Sequence, residues 1–118
     1  MFSHISLRVR DLPASVRFYQ AFLAPLGYGV AHQDDESAGF GPPDQPMFWL
    51  TLGGAPSANA HLAFAAADDA TVDRAYAAGL AAGGRDNGKP ELIPDYGPTY
   101  YGGFLFDPDG NNVEAVHS

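Results

Sequence analysis

Three residues of this 118-residue sequence are of types that hold a divalent metal: His4, His61 and Glu114. His4 opens "HISLRV", His61 opens "HLAFAA", and Glu114 stands between Val113 and Ala115 in "NNVEAV". In each segment apolar residues alternate with others, as in a strand whose two faces differ. Ile5, Leu7 and Val9 share one face, as do Leu62 and Phe64, and as do Val113 and Ala115. The three candidates fall on the opposite parity from these apolar sets. A charged residue in such a strand either faces water or has a buried partner. Two imidazoles and a carboxylate meeting at one point would suit zinc, manganese, nickel or ferrous iron and leave positions open for water or substrate. Calcium and magnesium prefer oxygen ligands and suit the set less. Taken singly, each of the three also suits an ordinary strand position in contact with solvent.

Other chemistry is poorly represented. There is no cysteine, which excludes disulfides, thiolate metal sites and cysteine nucleophiles. No glycine-rich phosphate loop, serine nucleophile elbow or HExxH helix occurs. His32 lies in the polar stretch "AHQDDESAG" and His117 has the opposite parity from Glu114, so neither joins the set. Asp107 and Asp109 belong to "DPDG", which suits a type I turn with Gly110 in a left-handed position. The formal net charge of −8 repels phosphate backbones and argues against nucleic-acid binding. No apolar run approaches the length of a membrane span, and no leader is expected from "MFSHISLRVRD". A cytoplasmic location is the default expectation.

The elements that must position the candidates follow from a repeat. "HISLRVRDLPASVRFYQAFLAPLGY" (4–28) aligns without gaps with "HLAFAAADDATVDRAYAAGLAAGGR" (61–85), an offset of 57 residues. Eight positions are identical, including His4 with His61, Asp11 with Asp68, Arg17 with Arg74 and Tyr19 with Tyr76. Each copy reads as a strand followed by a helix. Asp11 and Asp68 are the expected N-caps, and Pro13 suits a first turn. Phe18, Tyr19, Phe22, Leu23 and Leu26 form an apolar stripe at helical spacing, repeated by Val72, Ala75, Tyr76, Gly79 and Leu80. Gly27 and the pair Gly83 and Gly84 are helix stops. Extended segments are expected at about 28–33, 37–41 and 46–52, and at about 91–95, 100–106 and 111–117. The chain therefore reads as one α+β domain over 1–118, built of two βαβββ units at about 1–55 and 57–118 and joined by "GGAPSANA".

The paired segments, together with "FLFDPDGNNVEAV" at 104–116, resemble the glyoxalase/bleomycin-resistance/dioxygenase group, the vicinal-oxygen-chelate superfamily. The resemblance implies two βαβββ units whose sheets form an incomplete mixed barrel around a cleft, commonly in a homodimer. It implies a divalent metal held by a histidine from the first strand, a histidine from the fifth and a glutamate from the eighth. These fall on His4, His61 and Glu114. Lactoylglutathione lyases take a further glutamate from the fourth strand. The matching segment here, "PMFWLTLGG", carries no carboxylate, and the aligned position is near Trp49.

The function expected from the resemblance is that of a metal-dependent, glyoxalase-like lyase or isomerase acting on a small oxygen-chelating substrate. It is not expected to be a true lactoylglutathione lyase. Two alternatives are an antibiotic-binding protein of the bleomycin-resistance type, which the acidic charge would suit, and an extradiol-type dioxygenase. Phe40, Trp49, Tyr96, Tyr100 and Tyr101 are the candidate cleft wall, with Tyr100 or Tyr101 placed to orient substrate through its hydroxyl.

Overall fold

The computed structural model describes residues 1–118. Its elements run β1 (Ile5–Val9), α1 (Leu12–Leu23), β2 (Gly29–Gln33), β3 (Ser37–Gly41) and β4 (Phe48–Leu52). The order then repeats as β5 (His61–Ala65), α2 (Asp69–Ala81), β6 (Arg85–Leu92), β7 (Tyr101–Phe106) and β8 (Asn112–His117). This is βαβββ twice. The strands form two four-stranded sheets, ordered β1-β4-β3-β2 and β5-β8-β7-β6. β1 runs parallel to β4 and β5 parallel to β8, while the other pairs are antiparallel. Both sheets are open, and β1 and β5 each keep one edge unpaired.

Local chemistry explains both helices. The Asp11 side chain accepts from Ala14 N at 3.1 Å, with Pro13 in the first turn, and Asp68 accepts from Thr71 N at 2.7 Å. Each cap satisfies an amide that the helix itself leaves without a partner. α2 closes where Gly84 N donates to Gly79 O, with Gly83 at φ 106°. No helix is long and apolar enough to cross a membrane.

One apolar cluster of 18 buried residues draws on both units. α1 contributes Phe18 and Phe22, both fully buried, and α2 receives them. A Cβ at Gly79 would lie 3.1 Å from Phe22 Cδ1 and 2.7 Å from Leu105 Cδ1. One at Gly84 would lie 2.6 Å from Phe18 Cε1. The small residues of α2 are therefore holes for the rings of α1.

A second link between the units is polar. Asp107, at the turn before β8, is 1% exposed and accepts from Tyr19 Oη of α1 at 2.5 Å and from Asn111 Nδ2 at 2.9 Å. Asn111 Oδ1 accepts from Ala60 N, and its Nδ2 also donates to Ser57 O in the segment joining the units. Gly110 takes the left-handed position at φ 89°, as the turn reading requires.

Two expectations fail. β6 spans Arg85–Leu92, upstream of the expected 91–95. Its sequence, "RDNGKPEL", is an exposed, bulged edge strand without apolar alternation, held by its ladder to β7. Leu80 is 42% exposed and leaves the stripe, because Phe18 and Phe22 fill the space beside Gly79.

Candidate metal centre and cleft

Glu114 is the centre of a small polar cluster on the second sheet. Its β8 neighbours Val113 and Ala115 are fully buried under the helices, so Glu114 projects from the other face. There it pairs across to Ala63 on β5 and Phe104 on β7. It is 1% exposed. A buried carboxylate costs several kcal/mol unless compensated. Two donors compensate it. His61 Nε2 lies 2.8 Å from Oε1, and the Tyr100 hydroxyl donates to Oε2. The contact sets one imidazole nitrogen directly against one carboxylate oxygen.

Backbone geometry leaves room for this cluster. A Cβ at Gly102 would lie 3.1 Å from Glu114 Oε2 and 3.3 Å from Tyr100 Cε1. Burial, reinforced by the Glu114 carboxylate, pushes the Tyr100 phenol up to about 12. Its ionisation would set a phenolate against a carboxylate. The His61 side chain is 55% exposed, so the cluster presents an imidazole to the exterior and buries its acid.

His4 sits immediately before β1, exposed, with Nδ1 at 3.1 Å from the hydroxyl of adjacent Ser3. It borders two concavities. One is an apolar groove of about 370 Å³ between the β1 and β5 edges, which His61 also lines, with Ile5, Phe48, Leu62 and Phe64. The other is a cup of about 620 Å³ lined by Ser6, Trp49 and Thr51 of the first sheet, with Asp34, Asp35 and Glu36 at its rim. The structure brings His61 and Glu114 into contact. It leaves His4 outside that contact, and no three His, Asp or Glu side chains of the chain converge closely enough to hold a metal ion.

The aromatic candidates separate into different surroundings. Trp49 lies flat over Gly39, where a Cβ would meet its ring at 2.9 Å, and the His32 ring is 5.6 Å away. Phe40 lies on the helix side instead, buried against Tyr19 and Phe48, and meets the groove only from within the core. Tyr96 is exposed and sets its ring edge-on to Tyr100 at 5.2 Å. Tyr101 turns to the opposite face and donates to Asp73 Oδ1 on α2 at 2.7 Å, which pushes its phenol up to about 12. The link from Tyr100 to Glu114 was not anticipated from sequence. The signal available was "YYGGF", where glycines inside a strand mark close approach of another group.

Comparison with known proteins agrees with this architecture. The model of the Glyoxalase/Bleomycin resistance protein/Dioxygenase superfamily matches residues 1–115. A glyoxalase/bleomycin resistance protein from Albidiferax ferrireducens superposes with a TM-score of 0.88 at 34% identity, over 100% of this chain and 99% of that one. A glyoxalase-related enzyme from Fulvimarina pelagi gives 0.79 at 22% identity, over 100% of this chain and 88% of that one. A glyoxalase I variant from Zea mays gives 0.73 at 21% identity, over 98% of this chain and 44% of that one. At the identities of the last two, the likeness is one of fold. No curated protein matches the sequence.

Proposed function

The chain belongs to the glyoxalase/bleomycin resistance protein/dioxygenase superfamily, and from that premise we propose that it is a metal-dependent enzyme acting on a small substrate that chelates through adjacent oxygens. The observation that carries this reading is the contact of His61 Nε2 with Glu114 Oε1. An imidazole nitrogen and a carboxylate oxygen side by side, on a sheet face turned from the helices, are two ligands of the set that zinc, manganese, nickel or ferrous iron would take on displacing the proton between them. His4 is the proposed third. Because it stands apart from the pair within the chain, we place it as the contribution of a second copy in a homodimer.

Two features support the dimer. β1 and β5 leave bare edges, which small domains cover by association. Phe2, Ile5, Tyr28 and Met47, all exposed, line the groove between those edges. The two units act together as one domain in this proposal.

When bound, the metal would polarise the oxygens of the substrate as a Lewis acid. The chain's own residues do the rest. His61 and Glu114 would hold the ion on the face of the second sheet turned from the helices. Trp49 offers a flat apolar face to a ring or chain of the substrate. β4 carries Phe48, Trp49, Leu50, Thr51 and Leu52, so no carboxylate stands there to take a proton.

A second reading is a binding protein without catalysis, of the bleomycin-resistance type. It is favoured by the acidic rim of the Trp49 cup and the net charge of −8. Metal analysis separates the two. Protein purified without added metal, then exposed in turn to zinc, manganese, nickel and ferrous iron, should bind one ion per site. H61A and E114Q should lose it. Mixing H4A with E114Q should restore binding in part, since a mixed dimer keeps one intact ligand set. A wild-type protein that binds none of these ions would reject the enzyme reading in favour of the binder.

A further inference from the structure

Glu114 has two oxygens, and the proposed centre uses one. We infer that Tyr100 is the positioning residue of that centre: its hydroxyl holds Oε2, so that Glu114 offers a metal only Oε1. This rests on the reading of His61 and Glu114 as ligands. It departs from the expectation that Tyr100 meets substrate, because its hydroxyl is already committed.

The geometry supports a built contact. Tyr100 closes the segment 93–100, where Ile93 N donates to Tyr100 O at 2.8 Å and Tyr100 N donates to Gly97 O at 3.3 Å. Tyr96 braces its ring edge-on. The ring is therefore placed by its own loop. Gly102 completes the arrangement from the strand side. With a Cβ only 3.1 Å from Oε2, any larger residue there would press on the held oxygen.

The consequence is chemical. A free glutamate has three rotatable bonds and can grip a cation with one oxygen or both. With Oε2 anchored by Tyr100, Oε1 is the oxygen left to an ion that displaces the proton between it and His61 Nε2. Partners of this kind, which orient a ligand without touching the metal, contribute about 10- to 100-fold to affinity. Tyr101, one residue along, serves as an internal control, since it points to α2 and cannot reach Glu114.

The test uses zinc alone, with no substrate. Wild type, Y100F and Y101F are titrated with zinc against a chromophoric chelator, and X-ray absorption at the zinc edge gives the oxygen count of the loaded proteins. Y100F should bind about 10- to 100-fold more weakly and gain an oxygen neighbour as Glu114 rotates to chelate with both. Y101F should match wild type in both readouts. A tyrosine that only stabilised the fold would lower the thermal midpoint of Y100F without changing the oxygen count. Should Y100F fail to fold, Gly102→Ala perturbs the same oxygen from the strand side and should show the same weakening. Zinc bound as tightly by the folded variant as by wild type would overturn the role of Tyr100 and leave the metal centre standing. No zinc binding by the wild type would overturn both.

Discussion

Replacing Asp107 with asparagine should cost the fold about 3 kcal/mol, although the two side chains have the same shape. Four donors reach this carboxylate. Asp109 N and Asn111 N, both at 2.9 Å, share Oδ1, while Tyr19 Oη at 2.5 Å and Asn111 Nδ2 at 2.9 Å share Oδ2. Bonds to a charged acceptor contribute about 1.5–3 kcal/mol each. Asparagine has one acceptor oxygen. It must point that oxygen at the two backbone amides, which the turn fixes, so its NH₂ faces Tyr19 and Asn111. The tyrosine hydroxyl can reverse and accept. Asn111 cannot, because turning its amide would break its bonds to Ala60 N and Ser57 O. One charge-assisted bond is then lost outright and another weakened. For a chain of this size that predicts a fall in Tm of about 10–15 °C. Y19F removes one donor only and should cost about 1.5–3 kcal/mol. Guanidinium unfolding of both variants, with m unchanged, measures the difference. A cost below about 1 kcal/mol for D107N, or a larger cost for Y19F, would refute the donor-count reasoning.

Three further outcomes are expected. Tyr19 is held well above its ordinary value by burial and the Asp107 charge, while Asp86, burial beside Glu114, and Asp73 push Tyr76, Tyr100 and Tyr101 up to about 12. These phenols stay protonated in the fold while unfolded tyrosines ionise near pH 10, so the stability they contribute is complete below about pH 10 and is lost as pH rises past 12. Phenolate absorbance of native and urea-unfolded protein should therefore separate across that window, and coincident curves would reject the assignment. Gly39→Ala drives a methyl to 2.9 Å from the Trp49 ring and should shift the indole emission and lower Tm, whereas Gly53→Ala meets no atom and should leave the emission alone. With zinc, nickel or manganese supplied separately, the hemithioacetal of methylglyoxal and glutathione should turn over far below the roughly 10 s⁻¹ of a typical enzyme, because β4 offers no base; brisk turnover would locate a base elsewhere.

Most of the fold could be read from the chain because each element states its own period. β1, β5 and β8 alternate, both helices open on an aspartate cap, and the offset of 57 residues aligns the two copies. β6 could not be read, since an edge strand wet on both faces carries no apolar rhythm. At the site, parity alone placed Glu114 on the face away from the helices. The position of His4 relative to Glu114 lies beyond parity, because it depends on how two sheets sit against each other. That is decided by Phe18 and Phe22 entering α2, a match between residues far apart in the chain. Two consecutive tyrosines posed a similar problem. Alternation says that Tyr100 and Tyr101 face opposite ways, and only the pairing of β7 with β8 says which meets the glutamate.

The interlock of the helices also bears on what the two halves could do apart. Under the repeat offset, Phe18 of one copy corresponds to Ala75 of the other, and Phe22 to Gly79. The bulk that one half has gained is the bulk the other half lacks. Two first halves brought together through the same helix-to-helix contact would set ring against ring, and two second halves would enclose a void where the rings now lie. Each half is thus a good mate for the other and a poor mate for itself. The two halves are complementary in bulk, as the partners of a heterodimer are, though they travel on one polypeptide. Separately expressed halves, cut within the glycine-rich joint at 53–60, should reassemble into the mixed pair and form neither like pair.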